Sequence, residues 1–224
     1  MKKKSICFTL TGCICLIVLS CRHEIPVVTI PPAGNTVCFE NDVLPIFQSY
    51  CAKSGCHDET SRQNNYQLDT YANIVSRGII AGDSSNSRIY QRITATDPAL
   101  VMPQTPNIPL TPVQIHTIAL WIKEGASNTT NCAPVCDSSQ FTFSGTVQPI
   151  LQTHCLGCHG GLAIDGGFIQ LDNYDGVKEQ VTSNILYPAI THTGANPMPK
   201  NGNKLSDCKI AVIRKWIEAG ALNN

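Results

Sequence analysis

The chain has 224 residues, with 16 basic and 16 acidic side chains, 6% aromatic residues and 12 cysteines. Its 42% apolar content is normal for a packed protein and excludes a wholly disordered one, and its length allows one large domain or two of about 100 residues. The balanced charge, with no cluster of Lys or Arg beyond the first four residues, argues against nucleic-acid binding. In a cytosolic protein, twelve cysteines would have to be explained by metal binding or catalysis, whereas in an exported protein disulfides are the usual explanation. The compartment of the protein therefore has to be decided first.

The N-terminus has the pattern of a secretory signal. Three lysines, residues 2–4, precede an apolar run from Ile6 to Leu19, which is too short to span a bilayer comfortably. We therefore predict a signal peptide over residues 1–20. The run ends in Val-Leu-Ser-Cys, which resembles a bacterial lipobox, so Cys21 is predicted to be the lipidated first residue of the mature chain. The alternative is an ordinary cleaved signal with Cys21 present by chance.

Residues 21–37 are predicted to be a lipid-anchored tether, because they contain several prolines and no periodic apolar pattern. Removal of residues 1–20 leaves 13 basic and 16 acidic groups, a mature charge of −3. The expected location is outside the cytoplasm, on a bacterial membrane, facing the periplasm or the cell surface.

Beyond the tether the chain repeats itself. Residues 43–51, 67–71 and 115–126 recur as residues 147–155, 170–174 and 210–221, with several identical positions in each segment. Two tandem copies, predicted over residues 38–131 and 132–224, account for nearly the whole mature chain. The second copy lacks the residues that the first has from Gly82 to Ser87.

Each copy is predicted to be mostly helical. A short helix is expected over Asp42–Tyr50 and another after Leu68-Asp69, with counterparts in the second copy. The closing helix is the clearest: Thr111 is a candidate N-cap, Pro112 takes the first helical position, Gln114 completes a capping box and Gly125 ends the helix. Ser206 and Gly220 bound the second closing helix in the same way. No strand alternation competes, so the predicted class is all-α with long ligand-bearing loops, and we interpret Trp121 and Trp216 as core residues.

The second copy contains the C-x-x-C-H signature of covalent c-type haem attachment, formed by Cys155, Cys158 and His159. In such sites the two thiols add to the haem vinyl groups and the adjacent imidazole ligates the iron. The alternatives are a local disulfide between the two cysteines or a zinc site, but zinc would need a fourth ligand that the motif does not supply.

The equivalent residues of the first copy are Cys51, Cys56 and His57, a C-x4-C-H with two extra residues. Its place in the repeat favours a second haem site. The alternatives are a local Cys51–Cys56 disulfide with an exposed His57, or a zinc site.

A Met-Pro pair precedes each closing helix, at Met102 and Met198, and the only other methionine is the initiator. Equivalent positions are hard to explain by packing, because Met is an interchangeable gap-filler in cores. Both are predicted to be the sixth ligands of iron, a His/Met arrangement that closes both axial positions and favours electron transfer. His116 and His192 are the alternative sixth ligands, but neither has a counterpart in the other copy.

The order of a short helix, C-x-x-C-H, Leu-Asp-x-Tyr, Met-Pro and a last helix with Trp-Ile-x-x-Gly resembles the planctomycete-type cytochrome c domain, also found in Bacteroidota lipoproteins. The resemblance covers both copies and implies two tandem class I-like cytochrome c domains, two covalently bound haems, and electron transfer in the periplasm or at the outer membrane. Most of the haem-binding residues match by position, whereas Cys51 matches only with the widened spacing.

Four cysteines remain: Cys38, Cys132, Cys136 and Cys208. They permit three pairings, of which we favour 38–132 and 136–208 because each joins the two end regions of one copy. Closing loops of this length contributes about 4 kcal/mol each in the chain-entropy model.

Two classes of function follow. The first is a dihaem electron carrier that exchanges electrons with redox partner proteins. The second is a dihaem enzyme such as a peroxidase, in which one iron must be open, although no other arrangement of catalytic residues supports it. A non-redox, disulfide-stabilised surface lipoprotein is a third possibility.

Overall fold

The computed structural model describes residues 37–132, 136–200 and 202–224. The predicted signal peptide, the lipidation site Cys21 and the tether up to residue 36 lie outside these ranges. The described residues form helices and loops with no strand, which confirms the all-α prediction. None of the helices in these ranges is long and apolar enough to cross a membrane.

The helices follow the same order in the two copies. In the first copy a π-helical turn, Phe39–Val43, leads into α1 (Leu44–Tyr50), and a 3-10 turn, Gln63–Asn65, precedes α2 (Tyr71–Ser76), α3 (Arg88–Ile93) and α4 (Pro112–Lys123). In the second copy a π-helical turn, Phe143–Val147, leads into α5 (Gln148–His154), α6 (Leu156–His159), α7 (Tyr174–Thr182), α8 (Leu186–Ile190) and α9 (Asp207–Glu218). Helix α6, which carries the end of the C-x-x-C-H motif, is the one element without a helical counterpart in the first copy's described residues.

An aromatic cluster forms the centre of each copy. Trp121 and Trp216 are each only 1% exposed, as expected for core residues. The ring centroid of Phe39 lies 5.2 Å from that of Trp121 and 5.1 Å from that of Tyr71. In the second copy the ring centroid of Phe143 lies 5.5 Å from that of Trp216 and 5.3 Å from that of Tyr174. Both tyrosine hydroxyls donate hydrogen bonds to the carbonyl of an alanine just beyond the closing helix, Ala126 and Ala221. The sequence repeat is therefore also a repeat of packing.

Both closing helices begin and end where the sequence predicts. The Thr111 hydroxyl accepts from the Gln114 backbone N–H at 3.3 Å, and the Gln114 side chain accepts from the Thr111 backbone N–H at 2.8 Å, which completes the capping box. Ser206 caps α9 by accepting from the Lys209 N–H at 3.4 Å. These bonds satisfy backbone donors that an uncapped first turn would leave without partners.

Two disulfides, Cys38–Cys132 and Cys136–Cys208, join the end regions of the copies. They are the two pairings favoured by the sequence. In each copy the segment before the first helix is thereby held to the region at or near the closing helix, which limits the opening of the loops between them.

The two copies contact each other within one compact unit. Helix α1 of the first copy packs against α5 and α6 of the second. The Tyr50 hydroxyl and the Gln114 side-chain amide both donate to the Gln152 carbonyl, at 2.7 and 3.2 Å. The Gly157 N–H donates to the Ser49 hydroxyl at 3.1 Å, and the Gly157 carbonyl accepts from the Lys53 ammonium at 2.9 Å, so the two cysteine motifs lie against each other.

Candidate functional site

Each cysteine motif ends in a histidine whose backbone is held in the same way in both copies. The His57 carbonyl accepts from the Leu68 N–H at 2.9 Å, and the His159 carbonyl accepts from the Leu171 N–H at 2.8 Å. Because these bonds close the loops that follow the motifs, both histidines are fixed to the Leu-Asp segments that recur in the sequence.

The imidazole rings are also held by equivalent hydrogen bonds. His57 Nδ1 lies 3.2 Å from the Tyr66 carbonyl, and His159 Nδ1 lies 3.0 Å from the Ile169 carbonyl. A carbonyl can only accept, so Nδ1 carries a proton and Nε2 is the nitrogen left to bind a metal, the arrangement of a metal-ligating histidine. Burial also lowers the pKa of His159, although the bond to Ile169 opposes this, and a lowered pKa favours the neutral form that binds metals.

The four motif thiols are free: Cys51, Cys56, Cys155 and Cys158 form no disulfide. Burial raises the pKa of Cys51 and of Cys155 to about 12, with a smaller contribution from the second cysteine of each motif. Burial likewise raises the pKa of Cys56 and Cys158. Without a bound metal or cofactor the thiols therefore stay protonated, which is unlike the activated thiolates of nucleophilic cysteines.

The two Met-Pro pairs are positioned by α3 and α8. The Met102 N–H donates to the Arg92 carbonyl near the end of α3, and the Met198 N–H donates to the Ala189 carbonyl of α8, both at 3.0 Å. Both Met-Pro peptide bonds are cis. Neither short helix is among those predicted from the sequence, although Ile89/Ile93 and Leu186/Ile190 are apolar pairs at i, i+4 spacing that indicate them.

Two cavities bring the predicted residues of each copy together. The first, of about 690 Å³, is lined in part by Cys51, Cys56, His57 and Met102. The second, of about 480 Å³, is lined in part by Cys155, Cys158, His159 and Met198. Two thiols, an imidazole and a thioether are the groups that a c-type haem with His/Met ligation uses, and both volumes lie in the range of about 300–1,000 Å³ usual for cofactor sites. The residues present fit a haem at both positions.

The alternative sixth ligands do not line the cavities, although His192 Nε2 lies 3.0 Å from the Met198 carbonyl. His116 and His192 are exposed and are absent from the lining of both cavities. Across residues 37–132, 136–200 and 202–224, no three His, Cys, Asp or Glu side chains are arranged to hold a metal ion, as the zinc alternative would require.

The cavities differ in which copy builds them. Every lining residue of the first cavity comes from the first copy, between Tyr50 and Asn107. The second cavity also has a wall from the first copy, formed by Glu40, Asn41, Leu44, Pro45, Gln48 and Ser49. The second candidate haem site is therefore formed by residues of both copies, which the repeat in the sequence does not predict.

Comparison with known proteins gives one family match. The sequence profile of the family described as Planctomycete cytochrome C matches residues 54–105, a segment that contains Cys56, His57 and Met102. The match supports a cytochrome c-type domain here. Such a domain suggests a haem-binding role in electron transfer, and its family implies covalently bound haem. No curated protein and no solved structure matches the chain.

Proposed function

We propose that this protein is a dihaem c-type cytochrome, anchored outside the cytoplasm as a lipoprotein, that transfers electrons between redox partner proteins. The observation that carries the proposal is that each cavity is lined by the two free thiols and the histidine of one motif and by one methionine from the same copy. His154 also lines the second cavity. The family match supports it for the first copy. The repeated packing extends it to the second, so that each copy is a cytochrome c domain.

The residues of each motif would hold the cofactor. The two thiols would bind a c-type haem covalently, through one thioether bond to each of its vinyl groups. His57 and His159 would offer Nε2 to the iron, and Met102 and Met198 would offer their sulfur atoms. When bound, a c-type haem supplies a one-electron ferric/ferrous couple. An iron that both a histidine and a methionine ligate would favour a carrier over a catalyst.

Basic side chains line both cavities and can neutralise the haem propionates. Arg88 and Arg92 line the first cavity, and Lys200, Lys204 and Lys209 line the second. Cationic groups stabilise carboxylates most where water is partly excluded.

Three features support the location. Two disulfides are typical of an oxidising compartment outside the cytoplasm. The N-terminal pattern of residues 1–20 is that of a secretory signal, and Cys21 follows it in the position of a lipidated cysteine. The lipid would hold the protein on the membrane while the two cytochrome copies face redox partners.

The proposal predicts two covalent haems for each chain. A pyridine haemochrome assay and intact mass spectrometry on the exported protein should both give this number. Cys56→Ala and Cys158→Ala should each weaken or abolish attachment at one site and leave the other intact. A single haem in the native protein that Cys56→Ala leaves unchanged would show that the C-x4-C-H site carries none.

The axial ligands are tested on the same preparations. Met102→Ala and Met198→Ala should each remove part of the absorption band that a thioether–iron bond produces and lower one midpoint potential. His116→Ala is the matched control, because this residue is exposed and lines neither cavity. A high-spin iron in the native protein would contradict ligation by both methionines.

A further inference from the structure

Lys53 is a buried cation that none of the proposed steps uses. It lies between the two cysteines of the C-x4-C-H motif, and its side chain is only 2% exposed. Lysine is almost never fully buried unless it is paired, so the surroundings of this ammonium group require an explanation.

The partners of Lys53 come mostly from the second copy. Its Nζ forms an ion pair with Asp165 at 2.7 Å and donates to the Gly157 carbonyl at 2.9 Å. It also donates to the Asn107 side chain. Gly157 lies between the two cysteines of the C-x-x-C-H motif, so this one ammonium group joins both haem-attachment motifs.

The ion pair lies beside both haem-attachment motifs. Lys53 is two residues after Cys51, and its Nζ contacts the residue that directly precedes Cys158. Asp165 is part of the lining of the second cavity. The ion pair is therefore close enough to both attachment sites to influence each electrostatically.

We infer that Lys53 sets the reduction potential at both haem positions, and that Asp165 opposes it. This rests on the proposed function, because it needs haem on both motifs. A ferric haem carries one more positive charge than a ferrous one, so a fixed cation nearby disfavours oxidation and raises the potential at both positions. The extra residues of the C-x4-C-H motif then have a role, because the loop they lengthen carries the cation to the second copy.

The test uses the full-length haem-loaded protein and spectroelectrochemical titration. Lys53→Met should lower both midpoint potentials, and Asp165→Asn should raise both. The double variant should lie between the two. The two single variants break the same ion pair, so they differ only in which charge is lost. If the pair were only structural, both variants would loosen the site and shift the midpoint potentials in the same direction. Shifts of opposite sign are therefore the decisive result.

Arg214→Met is the matched control, since it removes a cation from an exposed ion pair with Glu218 that lines neither cavity. Its potentials should equal those of the native protein. Shifts of the same sign in the two single variants, or no shift while both haems are retained, would overturn the inference and leave the proposed function intact. If Lys53→Met does not acquire its haems, Asp165→Asn alone tests the inference. The inference is then overturned if the midpoint potentials of Asp165→Asn are not higher than those of the native protein. A native protein without haem would overturn both.

Discussion

At the scale of single residues, His154 shows how two similar positions diverge. It is the counterpart of Tyr50, and both are largely buried, one position before the first motif cysteine. The Lys209 ammonium donates to His154 Nε2 at 2.9 Å, and Asp42 is an acidic group near Lys209. Burial, and to a smaller extent the positive charge of Lys209, lowers the pKa of His154 to about 3. The ring is therefore neutral in the folded protein.

This pKa predicts a loss of stability in acid. Between pH 6.5 and about 3 the unfolded chain binds a proton at His154 while the folded chain does not, so folding becomes less favourable as the pH falls. Between pH 7 and 4.5 this group should cost about 2–3 kcal/mol. His154→Gln, which keeps an acceptor for Lys209, should remove that part of the pH dependence in urea unfolding at the two pH values.

Tyr50→Phe provides the comparison for His154. Burial raises the pKa of Tyr50 to about 12, so this residue does not titrate in acid. Its replacement should therefore leave the pH dependence of the free energy of unfolding unchanged. If the free energy of unfolding depended on pH equally in the native protein and in His154→Gln, the prediction would be contradicted.

The candidate site residues could be predicted because their chemistry is local in sequence. The two cysteines and the histidine of each motif lie within seven residues, and the two Met-Pro pairs are visible from the repeat. Lys53 is different. It is one lysine in a loop, and its role depends on its contacts with Asp165 and Gly157. Both lie more than 100 residues away in the sequence, and no local pattern connects them with Lys53.

At the scale of the secondary-structure elements, the predictable helices are those with strong end signals. Thr111, Pro112 and Gln114 define the start of α4 in the sequence and in the structure. Helices α3 and α8 have only six and five residues and no side-chain cap, and they are held by packing around Ile89, Ile93, Leu186 and Ile190. Such short helices are marginal alone, so tertiary contacts rather than propensity decide where they form.

The caps of the closing helices predict matched losses of stability. Thr111→Ala and Ser206→Ala each remove a side-chain acceptor from a first-turn N–H, and each should lower the free energy of unfolding by about 1 kcal/mol in urea titrations. Thr182→Ala, at the end of α7, removes an exposed hydroxyl that caps no N–H and should change stability by less than about 0.5 kcal/mol. An effect of Thr182→Ala as large as that of the caps would indicate that loss of a hydroxyl, and not of a cap, is being measured.

At the scale of the whole molecule, the two copies depend on each other. The wall that α1 gives to the second cavity and the contact between the two cysteine motifs place part of each copy's environment in the other. The repeat in the sequence reveals two similar units but not how they pack, because contacts such as Ser49–Gly157 join residues 108 positions apart that no local pattern connects. A single cooperative unfolding transition is expected from this arrangement.

Gly157 is the residue on which that packing depends most directly. It lies in α6, where alanine would ordinarily stabilise a helix by about 0.5–1 kcal/mol. Here a Cβ atom would lie 2.0 Å from the Ser49 carbonyl oxygen, a backbone atom that can move only if α1 moves. Gly157→Ala should therefore lower the free energy of unfolding by about 2 kcal/mol or more.

The matched substitution is Gly202→Ala, where a Cβ atom would lie 3.2 Å from the Gln48 Oε1 atom, the far end of a flexible side chain, and 3.3 Å from the Pro199 Cβ atom. Its stability should stay close to that of the native protein, because small shifts relieve these contacts and alanine reduces the conformational entropy of the unfolded chain. If Gly157→Ala were as stable as Gly202→Ala in urea unfolding, the two motifs could not be in close contact. A second unfolding transition confined to one copy would likewise show that the copies are independent, because the Ser49–Gly157 contact would then contribute nothing to the stability of either.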